Sequence, residues 1–186
     1  MNWPKKTLSE RKINNDEKVI IGCINQDRKS QKLLYEKYCN AMFTTAYRIT
    51  GDRDEAHDVL QEAFIQVFKD IESFKGNSTI GAWIKTITVR AALRAIKKKF
   101  LFDDIEEQEQ LYSIEPDISI NLDYLENAIA KLSEGYRTVF LLIEVEGYTH
   151  KETASMLGIS EGTSKSQLFH AKKLLKRYLA KYSLEG

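Results

Sequence analysis

A group of polar, aromatic and basic side chains near the C-terminus has the chemistry and the helical spacing needed to contact DNA. They lie between Ser160 and Ser183, where six basic residues accompany one acidic residue, Glu161. Hydroxyl, ammonium and imidazole groups hydrogen bond to base edges in the major groove, and an aromatic ring can contact thymine methyl groups. Cations alongside them suit phosphates, which position a protein without reading sequence. The predicted DNA contacts are Thr163, Lys165, Ser166, Phe169, His170 and Lys173.

The residues before this segment predict a helix-turn-helix. Thr149 and Glu152 have the spacing of a capping box, which opens a short helix. Gly158 supplies the left-handed conformation that ends a helix, and Ser160 is a good N-cap for the next one. Two helices joined by so short a turn cross at a steep angle. A solvated basic helix in an ordinary bundle is the alternative interpretation.

Charge along the rest of the chain is arranged in blocks. Residues 85–99 hold six basic residues and no acidic ones, whereas residues 101–120 hold seven acidic residues and no basic ones. The formal net charge of +1 therefore hides two basic regions separated by an acidic one. Nucleic acid responds to such local fields rather than to the total, because charges are screened beyond about 10 Å at moderate salt.

The elements that must position these residues are helices. Gly and Pro are sparse, and apolar residues recur at three- and four-residue steps, most clearly from Arg53 to Ile71. The sequence therefore predicts an all-α fold of two small helical domains joined by an acidic linker. The predicted boundaries are residues 1–99 for the first domain, 100–120 for the linker and 121–186 for the helix-turn-helix domain. The predicted helices span residues 17–25, 29–50, 53–71, 80–99, 122–132, 134–146, 150–157 and 161–182.

No residue pattern suggests catalysis, a metal ion or a cofactor. Cys23 and Cys39 lie sixteen positions apart without paired histidines, so they are expected to be reduced thiols. The three histidines are scattered, and the sequence has no glycine-rich phosphate loop. No apolar stretch approaches the roughly 18 residues of a membrane span. We therefore expect a cytoplasmic protein that does not insert into the membrane.

Two sets of motifs, one in each predicted domain, occur in a characteristic order. The first set is Asp58–Phe64, Phe74–Gly76 and Trp83–Ile84. The second set is Leu132–Phe140, Glu144–Tyr148 and Gly162–Ser166. In this order, on both sides of a linker, they resemble the motifs of extracytoplasmic-function sigma factors of bacterial RNA polymerase. The resemblance covers nearly the whole chain. It implies a protein that binds core polymerase and directs sequence-specific promoter recognition and transcription initiation.

The resemblance implies two roles for the first domain. Its long helix would dock on a coiled coil of the largest polymerase subunit through Asp58, Gln61 and Glu62, which lie off the apolar stripe. The turn after this helix would capture a base flipped out of the downstream promoter element, and extruding a base costs a few kcal/mol. The residues implied in this second contact are Lys75, Asn77, Ser78, Trp83, Arg90 and Arg94.

Some assignments in this contact have open alternatives. Trp83 is expected either to stack on a base or to be buried in the core. Arg90 stands where many family members have asparagine, which argues against direct amide readout and leaves phosphate binding as one open role. Lys85, in the same basic block, would neutralise the DNA backbone.

The resemblance also implies the partners: core RNA polymerase, promoter DNA and an anti-sigma factor, with no cofactor. The second domain would read the upstream promoter element as duplex. The seven linker carboxylates would mimic nucleic acid near the polymerase cleft. An autonomous helix-turn-helix regulator is the alternative function, and it predicts operator binding without polymerase. A sigma-shaped regulator that does not support initiation is a third interpretation.

Overall fold

The computed structural model describes residues 15–100 and 122–182, so the predicted linker lies outside the described residues except for Phe100. Within those ranges the chain forms eight α-helices and no strand, in agreement with the predicted all-α class. The N-terminal domain comprises α1 (Asn15–Ile24), α2 (Arg28–Thr50), α3 (Arg53–Asp70), a 3-10 turn (Ile71–Ser73) and α4 (Ile80–Phe100). The C-terminal domain comprises α5 (Leu122–Ala130), α6 (Glu134–Phe140), a π turn (Leu141–Val145), α7 (His150–Leu157) and α8 (Glu161–Tyr182).

Caps and glycines determine where several helices begin and end. Asp52 Oδ1 accepts hydrogen bonds from the backbone N–H groups of Asp54 and Glu55, both at 2.9 Å, and α3 begins there. Gly51 ends α2 with a φ of 72°, a left-handed conformation that glycine adopts without a Cβ penalty. Gly158 ends α7 in the same way, with a φ of 71°. These boundaries follow from local residue types, which is why the sequence predicted them.

The apolar stripe of α3 is buried, as its periodicity predicts. Val59, Ala63 and Val67 are at most 2% exposed. Leu60 and Phe64 are buried with them, and the stripe packs against α2 and α4. The three long helices therefore form the core of the N-terminal domain.

Both cysteines are free thiols, Cys23 in the core and Cys39 half-buried. Burial, with a smaller contribution from the negative charge of Asp27, raises the pKa of Cys23 to about 11. The thiol is therefore protonated at neutral pH, which makes it a weak nucleophile. Cys23 acts as a small apolar residue of the core.

The two domains share part of one hydrophobic core, a contact that the sequence did not predict. Leu141 and Leu142 of the π turn belong to the same buried cluster as Ala46 of α2 and Val89 and Ala92 of α4. Helix α7 contacts α4 across this junction. The domains are therefore packed together as well as linked through the chain.

The predicted helix 134–146 is the other departure from the sequence analysis. The α-helical pattern stops at Phe140, and a π turn follows. The backbone N–H of Glu146 donates to the carbonyl of Leu141, five residues back, at 2.9 Å. Such single π turns are rare, and they occur often at functional sites.

Candidate nucleic-acid interface

Helices α7 and α8 form the predicted helix-turn-helix. The capping box is complete, because Thr149 Oγ1 accepts from the Glu152 N–H at 3.2 Å and Glu152 Oε2 accepts from the Thr149 N–H at 2.9 Å. The Thr149 hydroxyl also donates to Glu152 Oε2, at 2.7 Å. The bonds that the Thr149 N–H and hydroxyl donate favour the carboxylate and hold the pKa of Glu152 below its ordinary value. After Gly158, Ser160 Oγ accepts from the Thr163 N–H at 2.9 Å and caps α8. The turn therefore has the geometry that its residues predict.

Helix α8 divides into a buried face and an exposed one. Leu168, Ala171 and Leu175 are at most 8% exposed and face the C-terminal core. The opposite face carries Phe169, an apolar residue that is 65% exposed. The exposed residues of this face that the sequence assigned to DNA contact are Lys165, Ser166, Phe169, His170 and Lys173.

Neighbouring residues hold several of these side chains in place. Lys165 Nζ lies 2.8 Å from Glu161 Oε1, and this ion pair holds the pKa of Glu161 below its ordinary value. The His170 ring stacks on Tyr136 of α6 at a centroid distance of 6.0 Å. Phe169 meets the same imidazole edge-on at 5.6 Å. The ring contacts thus orient His170 and Phe169 on this surface before any ligand binds.

Thr163 differs from the other predicted contacts on α8. It is half-buried, and its Oγ1 lies 2.8 Å from Ser160 Oγ within the cap. Its hydroxyl is therefore engaged in starting the helix. For Thr163 to contact a base, its hydroxyl must bind Ser160 in the cap and the DNA at the same time.

Two residues that support the α8 surface were missed in the sequence analysis. Tyr136, on α6, is half-buried beneath His170. His150 Nδ1 lies 3.0 Å from Oγ of the fully buried Ser164, which ties the start of α7 to α8. No local pattern marks either contact, because each joins residues from separate helices.

The turn after α3 presents its polar residues to solvent. Lys75, Asn77 and Ser78 are all exposed, around Gly76 with a φ of 70°. Thr79 Oγ1 accepts a hydrogen bond from the Ala82 N–H at 3.2 Å and starts α4. The backbone N–H of Phe74 donates to the carbonyl of Ile71 at 3.2 Å, so the turn is anchored at both ends while its polar side chains stay accessible.

Trp83 is half-buried and faces the core of the N-terminal domain. Its ring packs on Phe74 at a centroid distance of 5.6 Å and an interplanar angle of 55°. Only part of the indole is open to solvent. This partial burial agrees better with a packing role for Trp83 in the core than with a ring fully available to stack on a base.

The cations of α4 are distributed between solvent and acidic neighbours. Arg90 is exposed, whereas Arg94 Nη2 lies 2.6 Å from Glu62 Oε1 of α3. Lys85 Nζ lies 2.5 Å from Glu146 Oε2 of the C-terminal domain. The structure therefore joins a predicted DNA contact, Arg94, to a predicted polymerase contact, Glu62.

The outer face of α3 carries the three residues assigned to polymerase docking. Asp58, Gln61 and Glu62 are exposed. Ile65, one helical turn beyond Gln61, is 69% exposed. The sequence analysis missed Ile65 because it considered only polar residues off the apolar stripe. An exposed apolar side chain beside polar ones on a helical face is a common feature of a docking surface.

The described parts of the chain offer neither a metal site nor a membrane-spanning helix. Residues 15–100 and 122–182 contain no group of three or more His, Cys, Asp or Glu side chains arranged to hold a metal ion. None of the helices in these two ranges has both the length and the apolar character needed to cross a membrane.

Known protein families match both domains. Residues 34–100 match sigma-70 region 2, and residues 122–175 match sigma-70 region 4. The ECF RNA polymerase sigma factor SigE of Mycolicibacterium smegmatis is 27% identical, and the alignment covers 82% of this chain and 62% of that relative. The RNA polymerase sigma-H factor of Pseudomonas aeruginosa is also 27% identical, with 88% of this chain and 93% of that relative covered. This chain thus spans less than two thirds of the first relative and nearly all of the second.

Solved structures show the same fold. The sigma factor RpoE of Bartonella quintana, in complex with the anti-sigma factor NepR, matches with a TM-score of 0.53 and 22% identity over 80% of this chain and 96% of that one. CnrH, in complex with the cytosolic domain of CnrY, matches with a TM-score of 0.51 and 18% identity over 90% of this chain and 99% of that one. The chain belongs to the sigma-70 family, whose regions 2 and 4 it contains, and it is similar to extracytoplasmic-function members such as SigE.

Proposed function

We propose that this chain binds core RNA polymerase and directs it to promoters by contacting two promoter elements. The observation that carries the proposal is the exposed face of α8, where polar residues surround the 65% exposed Phe169 on a helix-turn-helix. The matches to sigma-70 regions 2 and 4, in that order, support it. The chain acts in the cytoplasm as an initiation factor rather than as an enzyme.

The C-terminal domain reads the upstream element as duplex. Lys165, Ser166 and His170 supply hydrogen bonds to base edges in the major groove, and Phe169 supplies apolar contact with thymine methyl groups. Lys173 lies on the exposed side further along α8 and contacts phosphate. Thr163 contributes at the N-terminal end of the same helix.

The N-terminal domain captures the downstream element as separated strands. Asn77 and Ser78 offer hydrogen bonds to an extruded base, and Lys75 beside them neutralises phosphate. Arg90 and Arg94 extend the cationic surface along α4. When DNA binds, Arg94 breaks its ion pair with Glu62 and contacts the DNA instead. Trp83 supports the turn through Phe74 and presents the open part of its ring to the base.

Helix α3 docks the N-terminal domain on polymerase. Asp58, Gln61 and Glu62 form the polar contacts, and Ile65, one helical turn beyond Gln61, supplies an apolar anchor beside them. Once polymerase holds the chain, each DNA contact raises the effective concentration of the other, so neither has to be tight alone. This division assigns residues 1–99 to polymerase and the downstream element, 100–120 to the acidic linker and 121–186 to the upstream element.

An anti-sigma factor is the proposed regulatory partner. The similar structures of RpoE and CnrH contain the anti-sigma factor NepR and the cytosolic domain of CnrY, respectively. A protein of the same kind would control this chain by covering its polymerase-binding or DNA-binding surfaces.

Run-off transcription from a random promoter library, with the purified chain added to core polymerase, tests the proposal. We expect start sites that depend on the added chain, and an upstream sequence shared by the selected promoters. A chain that binds an operator tightly without polymerase and directs no start site would instead be an autonomous regulator.

Removing two base contacts should separate promoter reading from polymerase binding. Each good base contact is worth about 1–3 kcal/mol of discrimination, so Lys165→Ala with His170→Ala should lower upstream selectivity by roughly tenfold or more. Polymerase binding in a pull-down should be unchanged. Lys32→Ala is the matched control, because Lys32 also forms an i,i+4 ion pair on an exposed helix face, with Glu36 at 3.6 Å. Selectivity retained in the double variant would contradict the assignment of α8.

A further inference from the structure

We propose that Tyr136 of α6 is a specificity-determining residue, although it does not contact DNA itself. It is a positioning residue, because it orients the rings of His170 and Phe169 on the exposed face of α8 and thereby sets their base preference. The inference rests on the proposed function in one respect, which is that α8 reads the upstream promoter element in the major groove.

The core of the C-terminal domain holds the Tyr136 ring in place. Tyr136 is half-buried, and it packs against the buried cluster of this domain, which contains Ala128, Leu132, Ala171 and Leu175. Helix α6 also runs close to α8 one residue earlier, because a Cβ at Gly135 would lie 3.5 Å from Nε2 of Gln167. Gln167 precedes His170 by three residues, about one helical turn. The Tyr136 ring therefore has a fixed place beside the part of α8 that carries His170.

The stack on Tyr136 restricts the orientation of the His170 imidazole. The two ring centroids are 6.0 Å apart and the ring planes are 27° from parallel, although His170 is itself exposed. Both imidazole nitrogens lie in the ring plane, so holding the plane fixes the directions in which they donate and accept hydrogen bonds. An unrestrained imidazole could turn to suit different bases, whereas a restrained one discriminates between them.

The same imidazole supports Phe169. The Phe169 ring meets His170 edge-on, at a centroid distance of 5.6 Å and an interplanar angle of 78°, while the residue is 65% exposed. An apolar ring held in one orientation contacts a thymine methyl group at one base position and not at its neighbours. Tyr136 thus orients His170 directly and Phe169 through His170, so one residue outside the helix-turn-helix controls two residues that read DNA.

Promoter selection with variants of Tyr136 tests the inference. Run-off transcription from the random promoter library, with core polymerase, gives the base preference at each position of the upstream element. Tyr136→Leu should lower the preference at the positions that His170→Ala also affects, by about two- to tenfold, which is the effect of losing one aromatic pair. The other positions should keep their preference. Tyr136→Phe keeps the ring and should select the wild-type sequence.

Tyr178→Leu is the matched control for damage to the core. Tyr178 is also half-buried against the same cluster, but it lies eight residues beyond His170 on α8, about 12 Å along the helix axis. This control should keep the wild-type preference at every position. A uniform loss across the whole upstream element in Tyr136→Leu, or an unchanged preference in that variant, would overturn the positioning role.

A double variant shows whether Tyr136 acts through His170. Once His170 is removed, Tyr136 has no imidazole to orient, so Tyr136→Leu/His170→Ala should have the same base preference as His170→Ala alone. A further loss in the double variant would mean that Tyr136 acts by another route, which would also overturn the inference.

Proton NMR of the free, full-length chain tests the stack without relying on promoter selection. The ring current of Tyr136 should shift the imidazole proton resonances of His170 upfield, and His170→Ala identifies these resonances by their loss. The shift should persist in Tyr136→Phe and disappear in Tyr136→Leu. Unshifted His170 resonances in the wild type would contradict the stack, whether or not the variants fold.

The two proposals fail in different experiments. If His170→Ala changes the selected upstream element but Tyr136→Leu does not, the positioning role is wrong and the proposed function stands. If the wild-type chain directs no start site although the His170 resonances are shifted, the proposed function is wrong and the inference falls with it.

Discussion

Gly51 and Gly158 have nearly the same backbone conformation but very different surroundings. Both end a helix with φ near 70°, at 72° and 71°. A Cβ at Gly51 would meet the guanidinium of Arg137 at 2.9–3.3 Å, whereas one at Gly158 would meet nothing within 4 Å. The same substitution at the two glycines therefore separates the free-energy cost of backbone strain from that of disturbed interdomain packing.

This difference predicts unequal effects of the same substitution. Gly158→Ala should destabilise the chain by about 1 kcal/mol, the lower end of the cost of a left-handed conformation for an L-residue. Gly51→Ala should cost more, because the added methyl group also displaces Arg137. Urea denaturation of both variants measures the difference in free energy of unfolding. Equal losses would show that the Arg137 contact contributes nothing to stability.

Single residues also show what sequence can and cannot reveal about the site. Phe169, Lys165 and His170 were assigned from spacing on a helix, and the structure places all three on the exposed face. Tyr136 was missed because its contact with His170 joins two helices. Trp83 had two interpretations in the sequence, since ring type alone does not decide between packing and stacking.

At the scale of elements, the capping box of α7 links helix stability to pH. Hydrogen bonds from Thr149 hold the folded-state pKa of Glu152 below its ordinary value of 4.5. A group with a lowered folded-state pKa contributes stability above its unfolded pKa and loses that contribution as pH falls through the folded value. The start of α7 should therefore weaken below about pH 4.5, as Glu152 becomes protonated.

Glu152→Gln tests this linkage. Glutamine can still accept from the Thr149 N–H, but it does not titrate. The variant should be less stable than the wild type at neutral pH, and the difference should shrink as pH falls through the acid range. Thermal unfolding followed between pH 3 and pH 7 measures it. A constant difference across that range would contradict the role given to the carboxylate.

Helix boundaries could be predicted where local residues decide them. Asp52, Gly51, Thr149 and Gly158 each act through their immediate neighbours, and the corresponding helix ends agree with the sequence analysis. The π turn could not be predicted, because Leu141–Val145 contains no glycine, proline or capping residue. We attribute its geometry to packing against the other domain, which periodicity within one segment does not report.

At the scale of the whole molecule, the shared core predicts energetic coupling between the domains. Leu142 and Val89 belong to one buried cluster but to different domains. Leu142→Ala and Val89→Ala should therefore be non-additive, with a coupling energy of about 0.5 kcal/mol or more. Ile71→Ala is a suitable reference, because Ile71 is buried in a cluster confined to the N-terminal domain. Double-mutant cycles, followed by urea denaturation, measure the coupling energy of Leu142 with Val89 and of Leu142 with Ile71. Additive losses of stability in both pairs would mean that the domains unfold independently.

The organisation into two domains was readable from charge blocks and motifs, but their contact was not. The acidic stretch between them suggested separation, and nothing in local composition indicated that Leu142 would meet Val89. Contacts between distant parts of a chain depend on surface complementarity, which a single sequence does not display.

The π turn also fixes the relative direction of two acidic side chains. Glu144 lies within it and pairs with Lys172 of α8 at 2.8 Å, while Glu146, just after it, pairs with Lys85 of α4. Each residue removed from a helix rotates the downstream residues by about 100° about the axis. Deleting one residue here would therefore turn Glu146 away from its lysine while leaving the composition of the segment almost unchanged. The length of this short stretch sets the angle between the two carboxylates about the helix axis, and it thereby determines whether one backbone segment can pair with lysines of α4 and α8 at once.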